Sequence, residues 1–154
     1  MGAAQGARCH IRGVIIVIAK AAPRKGDVSC SYAAERAMVG CILLDEWEVW
    51  GEVDEVGLTA EDFMAREHQA IWKACERLRD SGEDVTWVSV ACELERMGVI
   101  DAVDSWIGPP YLEPYLVQAQ AEHWSAKGGS SFAREVKRYA AQRTDKRARR
   151  EIAL

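Results

Sequence analysis

Apolar side chains recur every three to four residues along most of this 154-residue chain, and this spacing constrains its fold most strongly. The clearest case runs from about Ala60 to Asp80, and Gly82 follows where a left-handed helix end is expected. A single stripe of this kind is the buried face of an amphipathic helix. We find no internal repeat and no strand-rich region, so the pattern predicts an all-α fold. The stripe consists of His68, Ile71, Trp72, Cys75 and Leu78.

Polar residues and glycines mark the ends of further helices in a predicted compact, multi-helix head. Ser31 is the expected N-cap of the first helix, because its hydroxyl can accept a hydrogen bond from an exposed amide. Thr59–Asp62 fits a capping-box start for the helix that runs to Asp80. Ser89 is the expected cap of a helix that ends at Gly98.

A second part of the chain follows, and its pattern predicts a pair of helices. One helix is expected to begin at about Pro110, since a missing proline amide costs nothing in a first turn. A longer helix is expected from Phe132, after a turn. Two antiparallel helices joined by a short polar loop form a helical hairpin.

These patterns divide the chain into three predicted segments. Residues 1–30 are an N-terminal extension that we expect to be poorly ordered, with only Val14–Ile18 able to order as a short extended piece. Residues 31–107 form the helical head. Residues 108–154 form the antiparallel helical hairpin and the start of a linker helix.

Charge is distributed unevenly along the chain, whose formal net charge is -4. From Asp45 to Glu122 there are 19 acidic and 5 basic side chains, a net of -14. From Arg134 to Arg150 there are 8 basic and 2 acidic side chains, a net of +6. An acidic body with a basic helix indicates polarity in the choice of partners, without proving that the chain binds nucleic acid.

Several kinds of catalytic or binding site are not indicated by the sequence. It contains no Gly-x-x-x-x-Gly-Lys-Ser/Thr loop, so we do not expect this chain alone to hydrolyse ATP. The five cysteines include no Cys-x-x-Cys pair, and the three histidines lack the spacing of a zinc site. His68 is interpreted as a packed helix residue, and Glu93 and Glu95 as solvent-facing charges. We can assemble no nucleophile, base and stabiliser, and we predict no catalytic, cofactor or metal residue.

The beginning of the chain has the outline of a signal peptide but departs from it. The apolar run Gly13–Ala19 is short, and Lys20 interrupts the region where cleavage would occur. The run is also too short to span a bilayer as a helix. We therefore expect a cytoplasmic protein without a membrane association.

Five blocks of residues, in a fixed order, resemble the amino-terminal domain of DnaB-type replicative DNA helicases. No single block is diagnostic, but the ordered set is fairly specific and covers about Ser31 to Arg147. The blocks are Ala34-Glu35-Arg-Ala-Met38-Val39-Gly40 with Leu43-Leu44-Asp45; Leu58, Asp62-Phe63, His68 and Ile71-Trp72; Gly82-Glu-Asp-Val85-Thr86-Trp-Val88-Ser89-Val90; Gly108-Pro-Pro-Tyr111-Leu112; and Phe132-Ala-Arg-Glu-Val136 with Arg143.

The chain departs from the family pattern at several positions. Thr86 stands where the family has Asp before a helix, and Asp84 stands where it has Pro. Pro114 falls inside a family helix, where a proline kinks or delays the helix. The glycine pair of the family is Gly108-Pro109 here, and the loop between the hairpin helices is longer than usual, so the departures put the geometry of the hairpin in doubt and not the head.

The resemblance implies a non-catalytic collar element. In such helicases this domain self-associates through its hairpin in a hexameric assembly and offers a docking surface to primase and to loader proteins. ATP and magnesium belong to the motor domain, which this chain lacks, so the resemblance implies no cofactor here. We interpret the chain as a fragment or truncated form of a helicase.

Two sets of residues are the predicted contact sites. The apolar positions of the hairpin are the predicted oligomer or partner interface, and three arginines near the end of the chain are predicted DNA contacts if DNA is bound at all. The alternatives are a stand-alone regulator that binds helicase or primase in trans, and a small DNA-binding helical protein. The interface set is Tyr111, Leu112, Leu116, Phe132, Val136 and Tyr139, and the DNA set is Arg147, Arg149 and Arg150.

Overall fold

Helices account for most of the chain that the computed structural model describes, which comprises residues 7–11, 14–18, 29–44, 47–122 and 129–153. The predicted all-α class is confirmed for the body. A short 3₁₀ turn at Ala60–Asp62 precedes the third helix. The helices are α1 (Ser29–Ile42), α2 (Trp47–Val56), α3 (Arg66–Asp80), α4 (Trp87–Arg96), α5 (Ile100–Ile107), α6 (Leu112–Glu122) and α7 (Gly129–Ile152).

A two-stranded antiparallel ribbon precedes the helical body. Strand β2 (Val14–Ile18) coincides with the segment that the sequence predicts as extended. Strand β1 (Ala7–Ile11) is not predicted from the sequence, and it pairs with β2 so that Ala7 lies opposite Ile18.

Helix α1 lies between the two helices of the predicted hairpin. It packs along both α6 and α7, whereas direct contacts between α6 and α7 are few within the described residues. Leu116 of α6 and Val136 of α7 consequently belong to the same apolar core as Met38 of α1. The hairpin helices and the head thus share one core.

Aromatic rings fill the centre of that core. Trp72 is fully buried, as the stripe on α3 predicts, and its ring centroid lies 4.9 Å from that of Phe63 and 5.7 Å from that of Trp50. At these separations aromatic pairs add favourable electrostatic contacts to the area they bury.

The start of α1 differs from the prediction. The helix begins at Ser29, and Ser31 lies within it with 2% of its surface exposed. Ser31, Glu35, Met38 and Ile42 recur at helical spacing and are all buried. The prediction that Ser31 is an N-cap is therefore wrong, because this serine belongs to the buried stripe.

The predicted helix from Ala60 to Asp80 is divided in two. After the 3₁₀ turn the chain extends through Phe63, and α3 begins only at Arg66. The Thr59 amide donates to Asp62 Oδ2 over 2.8 Å, as the predicted capping box requires. This capping box belongs to the 3₁₀ turn and not to α3.

Three other helix starts differ from the sequence predictions. Thr86, and not Ser89, is the N-cap of α4; its hydroxyl accepts from the Ser89 amide over 3.2 Å, and the Ser89 hydroxyl accepts from the Thr86 amide over 2.8 Å. Helix α6 begins at Leu112 and not near Pro110, because Tyr111 has a left-handed φ of 74°. Helix α7 begins three residues before Phe132.

The proline within α6 does not interrupt that helix, and α5 is an additional helix of the head. Pro114 lies in the first turn of α6, where a helix has no amide hydrogen bond to lose. Helix α5 has no counterpart in the sequence predictions.

Left-handed glycines end α2, α3 and α4, and those after α3 and α4, Gly82 and Gly98, lie where the sequence predicts a helix end. Gly82 after α3 has a φ of +72°; its amide donates to Arg79 O, and the Glu83 amide donates to Leu78 O, both over 2.9 Å. These two bonds form a Schellman motif, which satisfies carbonyls that the helix leaves unpaired.

We expect Gly82→Ala to lower the free energy of unfolding by about 1–2 kcal/mol, because an L-residue with a Cβ pays for the left-handed conformation. Gly51, in the middle of α2, is the matched control, since a Cβ built there meets no atom within 4 Å. Gly51→Ala should raise the same quantity by about 0.5–1 kcal/mol, because alanine favours the helix. Urea titration measures both, and equal effects of the two variants would contradict this account.

Candidate interaction surfaces

A fully buried carboxylate organises the inner side of the body. Glu35 of α1 has no exposed surface. Its Oε1 accepts from the Met64 amide over 2.6 Å, and its Oε2 accepts from the Ala65 amide over 3.2 Å. These amides precede α3, whose own N-cap, Ala65, offers no side-chain acceptor. The N-terminus of α3 is thus capped from α1, by a negative charge at the positive end of the helix dipole.

His68 links this carboxylate to α6. Its Nδ1 lies 2.8 Å from Glu35 Oε2, and its Nε2 hydrogen-bonds the hydroxyl of Tyr115. His68 is fully buried, and the Tyr32 ring centroid lies 4.6 Å from its own. The interpretation of His68 as a packed helix residue is therefore confirmed, and its hydrogen bonds position α6 against α1 and α3.

The tyrosines of this network remain protonated. Burial raises the pKa of Tyr32 to about 12, and burial raises the pKa of Tyr115 well above its usual value. The Tyr32 hydroxyl donates to Glu67 Oε1 over 3.2 Å. Arg36 covers the outer side, with its guanidinium 5.4 Å from the centroid of the Tyr115 ring and paired with Glu122 at the end of α6.

The predicted interface residues fall into two groups. Leu112, Leu116 and Val136 are at most 2% exposed, so almost none of their surface is left to bury against a partner. These three are not accessible to a partner in this structure, because they are already buried in the core that the helices share. The accessible members are Tyr111, which is 53% exposed, and the half-buried Phe132 and Tyr139.

Two tryptophans that the predicted interface does not include are also exposed. Trp47, at the start of α2, is 81% exposed, since the buried positions of that helix are Val49, Trp50 and Val53. Trp47 lies off the buried stripe of α2, and this position in the sequence pattern could have identified it as an exposed residue. Trp106 is also exposed, with the Arg66 guanidinium 4.9 Å from its ring centroid.

The predicted DNA-contact residues lie together on the exposed end of α7. Arg147 Nε lies 3.2 Å from Glu151 Oε1, and Arg149 Nε lies 3.1 Å from Asp145 Oδ2. Arg150 forms no ion pair within the described part of the chain. Upstream, Lys137 pairs with Asp62 over 3.0 Å and Arg143 donates to the Asp62 carbonyl, which fixes α7 to the turn before α3.

Glu93 is not the solvent-facing charge that the sequence predicts. It is buried, and Arg77 Nε donates to its Oε1 over 2.6 Å while Arg96 donates to its Oε2 over 3.0 Å. These hydrogen bonds hold the pKa of the Glu93 carboxyl below its usual value. The three side chains join the end of α3 to α4.

In the described part of the chain, no group of three histidine, cysteine or acidic side chains is placed to hold a metal ion. None of the helices there combines the length and the apolar character needed to cross a bilayer.

The helical body and the residues that tie α3 and α6 to α1 correspond to a known domain. The family described as DnaB-like helicase N terminal domain matches residues 27–138. The chain belongs to this family. It is the non-catalytic N-terminal domain, as predicted, and full-length members of the family are helicases.

Two relatives support this assignment. The chain is similar to the crystal structure of the N-terminal domain of DnaB helicase from Mycobacterium tuberculosis, with a TM-score of 0.69 and 27% identity, over 79% of this chain and 82% of that one. It is also 30% identical over 73 residues to the replicative DNA helicase DnaB of Buchnera aphidicola subsp. Acyrthosiphon pisum, which covers 47% of this chain. The match spans 16% of that helicase.

Replacing the buried carboxylate should destabilise this DnaB-like domain strongly. We expect Glu35→Gln to lower the free energy of unfolding by about 3 kcal/mol, because the amide group turns one acceptor for buried N–H groups into a donor. Glu61→Gln, at an exposed position of the 3₁₀ turn, should change it by less than about 0.5 kcal/mol. Urea unfolding followed by tryptophan fluorescence measures both, and a cost for Glu35→Gln no larger than that of the control would refute the capping role.

The pairing of Glu93 predicts a defined dependence on pH. Its pKa in the folded state lies below the ordinary 4.5, so its stabilising effect is complete above that value and is lost as pH falls through the folded-state value. The deficit of Glu93→Gln relative to wild type should therefore be largest at neutral pH and shrink in acid. Glu95→Gln, at an exposed position on the same helix, should show no such trend. A Glu93→Gln deficit that is constant between neutral and acid pH in urea titrations would argue against this pairing.

Proposed function

We propose that this DnaB-like N-terminal domain is an interaction module in DNA replication. It self-associates as part of a cytoplasmic helicase assembly and binds primase or a helicase loader. It needs no cofactor for this role, and ATP with magnesium serves the motor domain of the full-length relatives.

The observation that carries this proposal is the exposure of Tyr111 beside an otherwise filled core. Tyr111 precedes α6, and its left-handed backbone is held by a hydrogen bond of 2.7 Å from its amide to Gly108 O. The next amide, of Leu112, donates to Asp104 Oδ1 over 2.9 Å. A tyrosine has only two side-chain torsions, so on a fixed stretch of backbone it offers a large contact area at little cost in entropy, which is typical of interface anchors.

A second candidate function is DNA binding by the end of α7. The exposed arginines Arg147, Arg149 and Arg150 support it. Two of them already pair with acidic neighbours in the helix, and α7 has no aromatic residue beyond Tyr139 to stack on a base. A stand-alone regulator that binds a helicase in trans would use the same exposed aromatic surface as the module.

Sedimentation velocity over a wide range of protein concentration tests self-association, and pull-down with purified primase and purified loader tests the partners. We expect Tyr111→Asn to weaken at least one of these associations about tenfold, because it removes an aromatic anchor while asparagine tolerates a left-handed backbone. Val88→Ala, at an apolar side chain of α4 that is 49% exposed, is the control and should leave all of them unchanged.

A wild-type chain that stays monomeric throughout and captures neither protein would refute the module. Retention on DNA that is lost in the triple variant Arg147→Ala/Arg149→Ala/Arg150→Ala would favour the second candidate instead.

A further inference from the structure

The outer face of α2, which comprises Trp47, Glu48, Gly51 and Glu55, is open to solvent. Trp47 is 81% exposed, and the three other residues are exposed as well. Glu48 and Glu55 are seven residues apart, so they lie on the same side of the helix and about 10 Å apart along its axis. Gly51 lies between them with open space at its Cβ position, which lets another chain approach the helix closely.

The charges of this face do not stabilise α2. The helix contains four acidic residues and no basic one. Glu52 follows Glu48 by four residues and precedes Glu55 by three, and like charges at these spacings destabilise a helix. Glu55 also lies in the last turn, beside the negative end of the helix dipole. A bound cation would relieve these repulsions, and the charge pattern therefore favours a cationic partner.

The inner edge of the same helix shows what such groups bind. Arg79 of α3 has its guanidinium 4.3 Å from the ring centroid of Trp50, and its Nη1 donates to Asp54 Oδ1 over 2.9 Å. One arginine thus contacts both an indole ring and a carboxylate of α2. Trp47 and Glu48 offer the same two groups on the outer face. Within the described residues, no arginine or lysine stacks on Trp47 or pairs with Glu48.

We propose that the outer face of α2 is a docking site for an arginine-bearing segment of a partner protein. One guanidinium stacks on Trp47 and pairs with Glu48, and a second basic side chain pairs with Glu55. Positions three residues apart in an extended chain are separated by about 10 Å, which matches the spacing of the two carboxylates. The site goes beyond the proposed function, because α2 packs on α1 and α7 whereas Tyr111 precedes α6.

The chemistry of the face selects for guanidinium groups. Nucleic acid does not fit, because carboxylates repel its phosphates. A lysine fits less well than an arginine, because the planar guanidinium stacks on an aromatic ring and is more weakly hydrated than an ammonium group. A metal ion lacks ligands, since no group of three suitable side chains occurs among the described residues.

Fluorescence anisotropy with a labelled synthetic peptide tests the contribution of the indole ring. The probe carries two arginines separated by two prolines, which hold the segment extended. Trp47→Ala should weaken binding of this probe about fivefold, because the cation–π contact is lost. Trp106→Ala is the matched control and should leave the affinity unchanged, since Arg66 already covers that ring.

Charge reversal tests the contribution of the carboxylates. Glu48→Lys/Glu55→Lys should weaken binding of the same probe more than about tenfold, since it places like charges against the two arginines. Glu61→Lys/Glu95→Lys makes the same change of net charge at two exposed positions elsewhere and should have a much smaller effect. Circular dichroism of the variants verifies that the helices are retained.

Several results would overturn the inference. Wild type may fail to bind the probe, or the variants of the outer face of α2 may bind it as well as their controls do; both outcomes leave the proposed function standing, because its own test uses Tyr111. Weaker self-association of these variants in sedimentation velocity would mean that a second copy covers the face. A higher affinity for the probe in Arg24→Gln/Lys25→Gln would mean that the chain's own N-terminal segment occupies it.

Discussion

The carboxylate of Glu35 is the interaction on which the arrangement of this DnaB-like domain depends. A buried charge is tolerated only when several donors surround it, and here two backbone amides and an imidazole fill that role. Because the amides precede α3 and the imidazole reaches Tyr115, one side chain of α1 determines where both α3 and α6 lie. The polar network therefore gives the core a specific geometry that apolar packing alone does not define.

The sequence predicts the parts of this fold that depend on local spacing. The stripe through Trp72 and the glycine at Gly82 identify α3 and its end, because both signals are set within a few turns of the chain. The blocks shared with helicase N-terminal domains identify the family. The break before α3 was not predictable in this way, because it depends on a carboxylate about 30 residues earlier in the chain. The hydrogen-bond partners of a glutamate on an apolar stripe cannot be predicted from the stripe itself, because they come from helices that lie far away in the sequence.

The predicted contact surface shows the same division between local and long-range information. Periodicity correctly marks Leu116 and Val136 as apolar positions, but it does not say whether the covering helix belongs to the same chain. Here α1 covers them, so the exposed aromatic residues at helix starts, Trp47 and Tyr111, are the accessible candidates. Their exposure follows from positions off the buried stripe, which become evident once the core is defined.

Two helices of this domain receive their N-terminal caps from other helices: α3 from Glu35 and α6 from Asp104. Synthesis on the ribosome proceeds from the amino terminus, so α1 and α3 emerge before α6. During that interval Glu35 and His68 lack the ring and hydroxyl of Tyr115 that complete their surroundings. Closure of the polar network is therefore coupled to the arrival of α6, and a nascent chain reaches its final packing only after that helix has emerged.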